Sequence, residues 1–521
     1  MANPGGSGRG NIGTAVVDTD RPDCPLCGGF LHSEGKRWYC KACNYGPLKE
    51  HKKSNAISRL RKEPAGFDTV AAEKHARRCE KGKRLVVTSA QNNTDVNPEF
   101  FASLKTLANY YSANIAIIPN HYKNVTLTTN EKKQWVDEVT PFLVKTDINF
   151  GSLKVKSDAR INATTRHPLA SKGPINGSTW TVFGHPQVAR QSVAAPGGVK
   201  PKVMFTTGSI TKNNYSDSND GLIADFNHTI SALIIERDGD RCFVRQIMAG
   251  HDGEIYDLDK KFTATGWEKA RIKAITTGDE HWRFNTTESI TFGKGGIVDT
   301  LKPEYIIRHD VYDGYSGSHH HRFDPVLQFL KHHNGDNDVR KELDQCIDAI
   351  NRTTPKYAKT LLVPSNHHDH LSKWLSSSDI NTDHQNALLI SELQAATRKA
   401  ALMGGNRDPF YLYAAPRLSC KHEFLDRNKA YLVDEIDVSQ HGDVGVNGSR
   451  ASARQLALTS HKMTVGHSHT PGIVMGVFQA GTSTDRLDYE KGLSSHSQAH
   501  VLQYANSKRA IIDIIDGRWR L

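Results

Sequence analysis

Residues 305–313 read Tyr-Ile-Ile-Arg-His-Asp-Val-Tyr-Asp, a short β-branched and aromatic run that ends in polar side chains able to bind metal. A buried parallel strand brings ligands in this way to the carboxyl edge of a sheet, where open α/β sheets place their sites. Two later stretches repeat the pattern: residues 360–369 read Thr-Leu-Leu-Val-Pro-Ser-Asn-His-His-Asp, and residues 463–471 read Met-Thr-Val-Gly-His-Ser-His-Thr-Pro. Together the three stretches predict one site assembled from the ends of strands.

The length and charge of the chain narrow the class of protein. Its 521 residues are enough for about two to four domains, and its formal net charge is +11. A basic balance favours a polyanionic partner, with nucleic acid first among the candidates. No apolar run approaches the roughly 18 residues that a membrane span needs, and residues 1–10 lack the apolar core of a signal peptide. We therefore expect a soluble protein of the cytoplasm with no membrane partner.

Four of the eight cysteines form two Cys-x-x-Cys pairs near the N-terminus. The predicted zinc ligands are Cys24, Cys27, Cys40 and Cys43. Two such pairs suit a tetrahedral thiolate site for one structural Zn²⁺, and the pattern resembles a zinc ribbon over residues 21–48. The ribbon either contacts DNA or only stabilises the fold of a segment that is too short to form its own core. The remaining cysteines are scattered, which is typical of thiols in a reducing compartment.

The segments around the predicted ribbon differ in composition. Residues 1–20 are rich in glycine and small polar residues, and we expect them to be disordered. Residues 49–83 form a basic linker with a predicted helix at 67–80 that Asp68 caps. The linker either contacts the phosphate backbone of DNA or is a solvated charged segment. The candidate DNA-binding residues are Lys52, Lys53, Arg59, Arg61 and Lys62.

A β-α-β pattern follows the linker. Residues 84–93 predict a strand with a polar tip, residues 98–111 carry apolar side chains at helical spacing, and residues 115–119 predict a second strand. Residues 126–295 are rich in Thr, Gly and Asn and show short alternating runs, which predicts a β-rich inserted domain. The α/β pattern then resumes. We therefore predict an α/β sandwich over residues 84–125 and 296–521.

The polar residues at the predicted strand ends are those that a dinuclear metal centre requires. Two cations roughly 3.5–4 Å apart can polarise a phosphodiester and generate a nucleophile from water near neutral pH. A bridging carboxylate holds such a pair, and imidazoles and an amide oxygen complete the coordination without excess charge. Each residue alone also fits a buried polar group with ordinary hydrogen bonds. The ordered candidates are Asp310, Asp313, Asn366, His367, His441, His467 and His469.

This ordered set resembles the calcineurin-like metallophosphoesterase superfamily. The motifs of that family run D-x-H, G-D-x-x-D, G-N-H-[DE], H and G-H-x-H, and the resemblance covers roughly residues 83–125 and 300–500. Within the family, the nucleic-acid features point to SbcD-type repair nucleases and to the nucleases of large tailed phages that degrade host DNA. The resemblance implies a β-sandwich core flanked by helices, here with an N-terminal zinc ribbon and a β-rich insertion.

The resemblance also implies a role for each candidate residue. Asp310 would bridge the two metals, and His469 would bind the first. His367 would be the general acid or would stabilise the phosphate, and Asp313 would support the site from behind. The second metal would be bound by Asn366, His441 and His467.

The sequence departs from the family pattern at three places. His309 stands in the place of the glycine before Asp310, and Ser365 stands in the place of the glycine before Asn366. No D-x-H follows the strand at 85–88, so we expect Gln91 and Asn93 to bind the first metal through their amide oxygens. Neutral amides favour hard, exchangeable ions, hence two Mn²⁺ or Mg²⁺. A centre reduced to one firmly held ion is the alternative.

The sequence thus predicts a metal-dependent DNase that works through a two-metal centre. A phosphatase or small-nucleotide phosphodiesterase on the same fold is one alternative. A DNA-binding protein with a degenerate active site is another, because the D-x-H motif is missing from its expected place. We expect DNA and further copies of the same chain as partners, and the host cytoplasm as the location if a phage encodes the chain.

Overall fold

The computed structural model describes residues 68–122, 135–157, 159 and 161–521, together with the backbone of three short strands nearer the N-terminus. Contacts divide the chain into two compact units, Met1–Pro64 and Ala65–Leu521. The mixture of helices and several sheets confirms the predicted α/β class.

In the first unit, three strands form one antiparallel sheet in the order β1-β2-β3. They are β1 (His32–Glu34), β2 (Arg37–Cys40) and β3 (Tyr45–Leu48). The predicted disorder of residues 1–20 and the predicted zinc and DNA contacts lie outside the described residues. The side chains concerned are Cys24, Cys27, Cys40, Cys43, Lys52, Lys53, Arg59, Arg61 and Lys62.

The second unit contains the remaining described strands and helices. In chain order the strands are β4 (Arg84–Gln91), β5 (Asn114–Asn120), β6 (Ile148–Phe150), β7 (Leu153–Lys156), β8 (Trp180–Phe183), β9 (Arg190–Val193), β10 (Lys202–Thr206), β11 (Ser231–Asp238), β12 (Arg241–Met248), β13 (Ile255–Asp257), β14 (Lys260–Thr263), β15 (Gly266–Lys269), β16 (Ala274–Thr276), β17 (Tyr305–Arg308), β18 (Lys359–Leu362), β19 (His422–Phe424), β20 (Leu432–Val433), β21 (Ile436–Asp437), β22 (Met463–Val465), β23 (Gly472–Val474), β24 (Val477–Gln479), β25 (Ala499–Gln503) and β26 (Arg509–Asp513).

The helices cover the sheets and fill their connections. They are α1 (Thr69–Glu80), α2 (Pro98–Tyr111), α3 (Asn219–Asn227), α4 (Glu288–Phe292), α5 (Ile297–Leu301), α6 (Pro325–Asn334), α7 (Val339–Thr353), α8 (Asn366–Ser377), α9 (Ala387–Leu402), α10 (Pro409–Ala414) and α11 (Ala453–Ala457). Short 3-10 helices span Thr140–Phe142, Trp282–Phe284, His319–His321 and Val446–Gly448.

The predicted β-α-β pattern after the linker is confirmed. Strands β4 and β5 are parallel neighbours, and α2 connects them. Helix α2 begins where predicted because the Asn97 side chain accepts a hydrogen bond from the Phe100 amide and Pro98 occupies the first turn. The basic segment also forms its predicted helix, α1, with Asp68 as the N-cap. Helix α1 buries Ala72, Ala76 and Cys79, so its basic side chains face outward.

The prediction of an independent β-rich domain over residues 126–295 is wrong. Strand β11 from this segment pairs with β4, and β16 from the same segment pairs with β17. Both strands therefore belong to sheets that also contain strands from outside the segment. The alternating pattern indicated strands correctly, but pairing between distant strands decides domain membership.

The core of the second unit lies between sheets. A ten-stranded sheet has the order β20-β21-β22-β24-β23-β9-β10-β8-β7-β6, and a four-stranded sheet has the order β12-β11-β4-β5. Alternate residues of β4 face two cores: Leu85 and Val87 pack with Val203 and Phe205 of the ten-stranded sheet, whereas Val86 faces the helix α2 side. A single strand thus contributes to two hydrophobic layers.

A six-stranded sheet, β19-β18-β17-β16-β25-β26, positions the candidate site. Its strands β16, β17 and β18 are adjacent and parallel, so their carboxyl ends meet at one edge. Ile307 and Leu361 of this sheet pack against Val433 and Ile436 of the ten-stranded sheet, which brings the ends of β21 and β22 to the same region. No helix in the described parts of the chain is long and apolar enough to cross a membrane.

Candidate metal centre

Four buried side chains converge at the edge where β16 and β17 end. Possible ligand atoms of Asp279, His281, Asp310 and His469 all lie within 4.8 Å of one another. Asp279 and His281 follow β16, Asp310 follows β17, and His469 follows β22. The sequence predicted a site assembled from strand ends, including those of β17 and β22. It did not predict that β16 would contribute.

Asp310 lies between two sets of possible ligands. Its Oδ2 atom is 3.7 Å from Nε2 of His281 on one side and 3.1 Å from Nε2 of His441 on the other. The His441 loop is joined to the next motif, because the Gly466 amide donates a hydrogen bond to the His441 carbonyl. A carboxylate in this position can bridge two cations.

The predicted ligands of the second metal lie together. Nδ1 of His467 is 3.1 Å from Oδ1 of Asn366, and the rings of His441 and His467 are 5.2 Å apart. Asn366 is the first residue of α8, and the Ser365 side chain caps that helix by accepting a hydrogen bond from the His368 amide. Ser365 therefore has a local structural role.

The donor set of this region fits metal ions. Buried polar atoms normally have hydrogen-bond partners, yet Oδ1 of Asp279, Oδ1 of Asp310 and Nε2 of His309 have none. In addition, Nε2 of His281 lies only 3.1 Å from Nε2 of His469. Cations between these atoms would satisfy the carboxylates and separate the imidazoles. Asp279, His309 and His441 form a further group within the same 4.8 Å limit.

Carboxylates and imidazoles of the centre shift one another's pKa values. Burial opposes ionisation of Asp310, but the imidazoles of His441 and His367 hold the pKa of its carboxyl well below the usual range. Burial likewise opposes protonation of His469, but hydrogen bonds to Asp279 and Glu490 raise its pKa to about 10. Protons on imidazoles therefore occupy positions that a cation would take, and metal binding would release them.

The prediction that Gln91 and Asn93 are first-metal ligands is wrong in its choice of strand. Gln91 is the last residue of β4 and Asn93 follows it, and β4 lies in the four-stranded sheet beside β5 and β11. The Gln91 side chain donates a hydrogen bond to Asn214, whose own amide donates to the carbonyl groups of Asn92 and Asn93. Asp279 and His281 occupy the position beside Asp310 and His469 instead.

The sequence contained the signal that identifies these two residues. Residues 278–281 read Gly-Asp-Glu-His, a D-x-H motif that directly follows a short apolar run. It was missed because β16 has only three residues and lies in a segment that resembled an inserted domain. The motif is therefore present, about 190 residues later than expected from the order of strong strands.

The middle residue of this motif has a structural role. Arg308 donates hydrogen bonds of 3.0 and 2.9 Å to the two carboxylate oxygens of Glu280, and both side chains are fully buried. The Trp282 indole donates a further hydrogen bond of 2.7 Å to Glu280. Since backbone amides of Glu280 and His281 also donate to the carbonyls of His309 and Asp310, the loops after β16 and β17 are fixed together.

His367 and Asp313 lie together with His281. Nδ1 of His367 donates a hydrogen bond of 2.7 Å to the backbone carbonyl of Asp313. This bond fixes the tautomer and leaves Nε2 for a substrate atom. The Asp313 carboxylate lies 3.6 Å from Nδ1 of His281, so it contacts a metal-site histidine from behind.

Glu490 is a further residue of the centre that the sequence did not indicate. Its Oε1 accepts a hydrogen bond of 2.6 Å from Nδ1 of His469 and lies 2.9 Å from Nδ1 of His496. A carboxylate behind a ligating histidine orients the ring and raises its basicity. Glu490 lies in a loop 21 residues after His469, and no motif in the sequence marks it.

The backbone of the centre is constrained. Four non-glycine residues of the site adopt positive φ angles: 38° at His281, 44° at Asp310, 72° at His467 and 53° at His469. A side chain at Gly466 would collide with Oδ1 of Asp279, so glycine is required there. Strained backbone of this kind is typical of sites whose geometry the surrounding structure enforces.

A cleft of about 400 Å³ opens over the centre. It is lined by Asn366, His367, His467, Ser468, His469, Thr470, Tyr489, Glu490, Lys491, Leu493, Ser494 and Ser495. The cleft therefore gives a ligand access to the second-metal residues and to Nε2 of His367.

Comparisons with known proteins do not assign this chain to a family. No family model matches the sequence. The chain is 29% identical over 482 residues to Protein A1 of Escherichia phage T5, a match that covers 88% of this chain and 86% of that protein. This similarity supports a phage origin. A solved structure of a Vps29 mutant from Entamoeba histolytica matches 38% of this chain and 90% of its own at 14% identity, but the TM-score of 0.18 carries no argument about the fold.

Proposed function

We propose that this protein is a metal-dependent phosphodiesterase that cleaves DNA through a two-metal centre around Asp310. The observation that carries the proposal is the position of this buried carboxylate between His281 and His441, each of which belongs to a separate set of possible ligands. A bridging carboxylate between two ligand sets is the arrangement that two-metal hydrolysis needs.

The motif order supports the same reaction class. With Asp279-x-His281 at the start, the chain has in order a candidate ligand residue for each of the five motifs of the metallophosphoesterase resemblance. The rest are Asp310-x-x-Asp313, Asn366-His367, His441 and Gly466-His467-x-His469. The alternative of a degenerate active site depended on the missing first motif, and this reason no longer stands.

The donor set suits exchangeable divalent cations. Carboxylate, imidazole and amide ligands without thiolate favour Mn²⁺ or Mg²⁺ among the available ions. Asp279, His281 and His469 would hold the first ion, and Asn366, His441 and His467 the second, with Asp310 shared. When bound, the pair would polarise the scissile phosphate and activate water as the nucleophile.

The protein's own residues would then position the substrate and move a proton. The Asp313 carbonyl accepts a hydrogen bond from Nδ1 of His367, and His367 lines the cleft. In its imidazolium form His367 would also carry a proton on Nε2, which it could give to the leaving oxygen. Lys491 also lines the cleft and would offer a positive charge to a phosphate. Glu490 keeps His469 in its ligating orientation.

Nucleic acid is the proposed substrate because of charge. A formal net charge of +11, a predicted zinc ribbon and a basic linker are superfluous for a small phosphate ester but suit a polyanion. We propose DNA in particular, with further copies of the chain as partners. A phosphatase or small-nucleotide phosphodiesterase stays the alternative.

Activity assays separate these functions. The purified protein is tested on bis-p-nitrophenyl phosphate, on p-nitrophenyl phosphate, and on linear and circular DNA in single- and double-stranded form. We expect Mn²⁺-dependent cleavage of the diester and of DNA that EDTA abolishes. Cleavage of the monoester alone would favour the phosphatase, and no cleavage of any substrate with Mn²⁺, Mg²⁺ or Zn²⁺ would contradict the enzyme.

Deletion of residues 1–48 tests the proposed DNA contacts of the N-terminal unit. We expect weaker DNA binding and a reduced dependence of binding on salt, because fewer Lys and Arg contacts release counterions. Hydrolysis of the small diester should stay at the wild-type rate. Unchanged DNA affinity would mean that the ribbon serves folding or assembly and not DNA binding.

A further inference from the structure

A second group of histidines lies beside the proposed active site. Ligand nitrogens of His319, His320 and His370 all lie within 4.8 Å of one another. Two of these residues belong to the 3-10 helix at 319–321, and the third belongs to α8. The ring centroids are 3.9, 5.2 and 5.7 Å apart. None of the three is needed by the proposed two-metal reaction.

The loop that carries His319 and His320 is anchored to α6 and α7. Backbone amides of Gly314, Tyr315 and Ser316 donate hydrogen bonds of 2.9, 3.1 and 2.8 Å to the buried Glu342 carboxylate. The Lys331 ammonium donates to the Tyr315 carbonyl. The histidines are therefore presented by an anchored loop.

Glycines allow the close approach of this loop to the helix. A Cβ atom at Gly314, where φ is 77°, would lie 3.0 Å from Cβ of His370, and one at Gly317 would lie 2.9 Å from the Trp374 ring. Any larger residue at these positions would push the loop away from α8. The sequence thus favours contact between the His319 and His370 side chains.

We propose that His319, His320 and His370 form a third cation site, which takes Zn²⁺ or another imidazole-preferring divalent ion. Three neutral imidazoles with no carboxylate suit Zn²⁺, Ni²⁺ or Cu²⁺ far better than Mn²⁺ or Mg²⁺. Nitrogen ligands of a tetrahedral Zn²⁺ lie about 3.3 Å apart, given Zn–N distances of about 2.0–2.1 Å. The ligand nitrogens of the three histidines lie within 4.8 Å of one another, so a bound ion would draw them closer together.

Two further observations point to a ligand at this position. Nδ1 of His319 is buried without a hydrogen-bond partner. His320 is exposed, so the site has an open side where water or a phosphate oxygen can complete the coordination. The His370 ring also lies 4.8 Å from the His367 ring, so a bound ion would add positive charge beside the substrate cleft.

The test is a count of bound Zn²⁺ on the full-length protein. Two metal-stripped proteins are compared: the wild type and a His319→Ala/His320→Ala/His370→Ala variant. Each is saturated with Mn²⁺ and titrated with Zn²⁺ by calorimetry. The zinc that each protein retains after desalting is then measured. We expect the variant to bind one equivalent fewer, since zinc at the N-terminal cysteines or at the dinuclear centre contributes equally to both proteins. Equal zinc content would overturn the proposal.

Two controls keep the result specific. A His332→Ala/His333→Ala variant removes two exposed histidines from α6 and should keep the wild-type zinc content. His320→Ala alone removes an exposed side chain, cannot disturb packing, and should weaken the same equivalent. Loss of the equivalent in the α6 variant as well would mean unspecific surface binding. Because the readout is metal content, it is independent of whether the protein cleaves DNA.

Discussion

The ends of β4 and β16 differ in a way that explains where the centre forms. Strand β4 has eight residues, a continuous apolar run and a polar tip, whereas β16 has three residues. The tip of β4 is occupied by hydrogen bonds among Gln91, Asn214 and the carbonyls of Asn92 and Asn93. The tip of β16 presents Asp279 and His281 to Asp310. The neighbours of a strand in its sheet, and not its length, decide whether its tip joins the site.

The largest expected effect comes from the tip of β16. Asp279→Asn removes an anionic oxygen from the first ligand group, so Mn²⁺-dependent hydrolysis of bis-p-nitrophenyl phosphate should fall to background. Calorimetry should show that Mn²⁺ no longer binds to the first ligand group. If this variant keeps the wild-type rate, β16 does not supply the first motif. The tip of β4 would then have to be considered again as the source of the first-metal ligands.

His367→Ala separates chemistry from metal binding. A positioned general acid contributes about 10²–10⁴-fold, so kcat should fall by that factor while Mn²⁺ content stays the same. Rates on the diester are compared with metal content measured after desalting. Loss of a metal equivalent on this substitution would instead make His367 a ligand.

Glu490→Gln tests the support behind the first ligand group. The neutral amide cannot hold His469 as strongly, and loss of such a partner typically costs about 10–100-fold in metal affinity. The Mn²⁺ concentration for half-maximal activity should rise accordingly, with the maximal rate largely recovered at saturating Mn²⁺. An unchanged Mn²⁺ requirement would mean that Glu490 only packs the loop.

The smallest expected effect on activity comes from the tip of β4. Gln91→Ala should leave the rate and the Mn²⁺ requirement unchanged, but lower the free energy of unfolding by about 1–3 kcal/mol because a buried hydrogen-bonded group is lost. Chemical denaturation measures this difference. The double substitution Gln91→Asp/Asn93→His should add no metal affinity; tighter Mn²⁺ binding would show that β4 does reach the centre.

The sequence by itself determined the candidate ligands that lie in strong or distinctive motifs. Asp310, Asn366, His441, His467 and His469 lie in local patterns that need no knowledge of distant pairing, and the structure brings them close together. Helix α2 was also predicted to the residue, because Asn97 and Pro98 are local signals for its start.

Only the tertiary structure decided which strand stands beside β17 and which carboxylate stands behind His469. A three-residue strand carries too little pattern to be distinguished in sequence, and β16 is fixed by pairing with β17 and with β25, more than 200 residues away. Glu490 reaches His469 from an irregular loop, where neither periodicity nor spacing constrains position. Contacts between segments far apart in the chain decide such neighbours, and local residue patterns do not encode them.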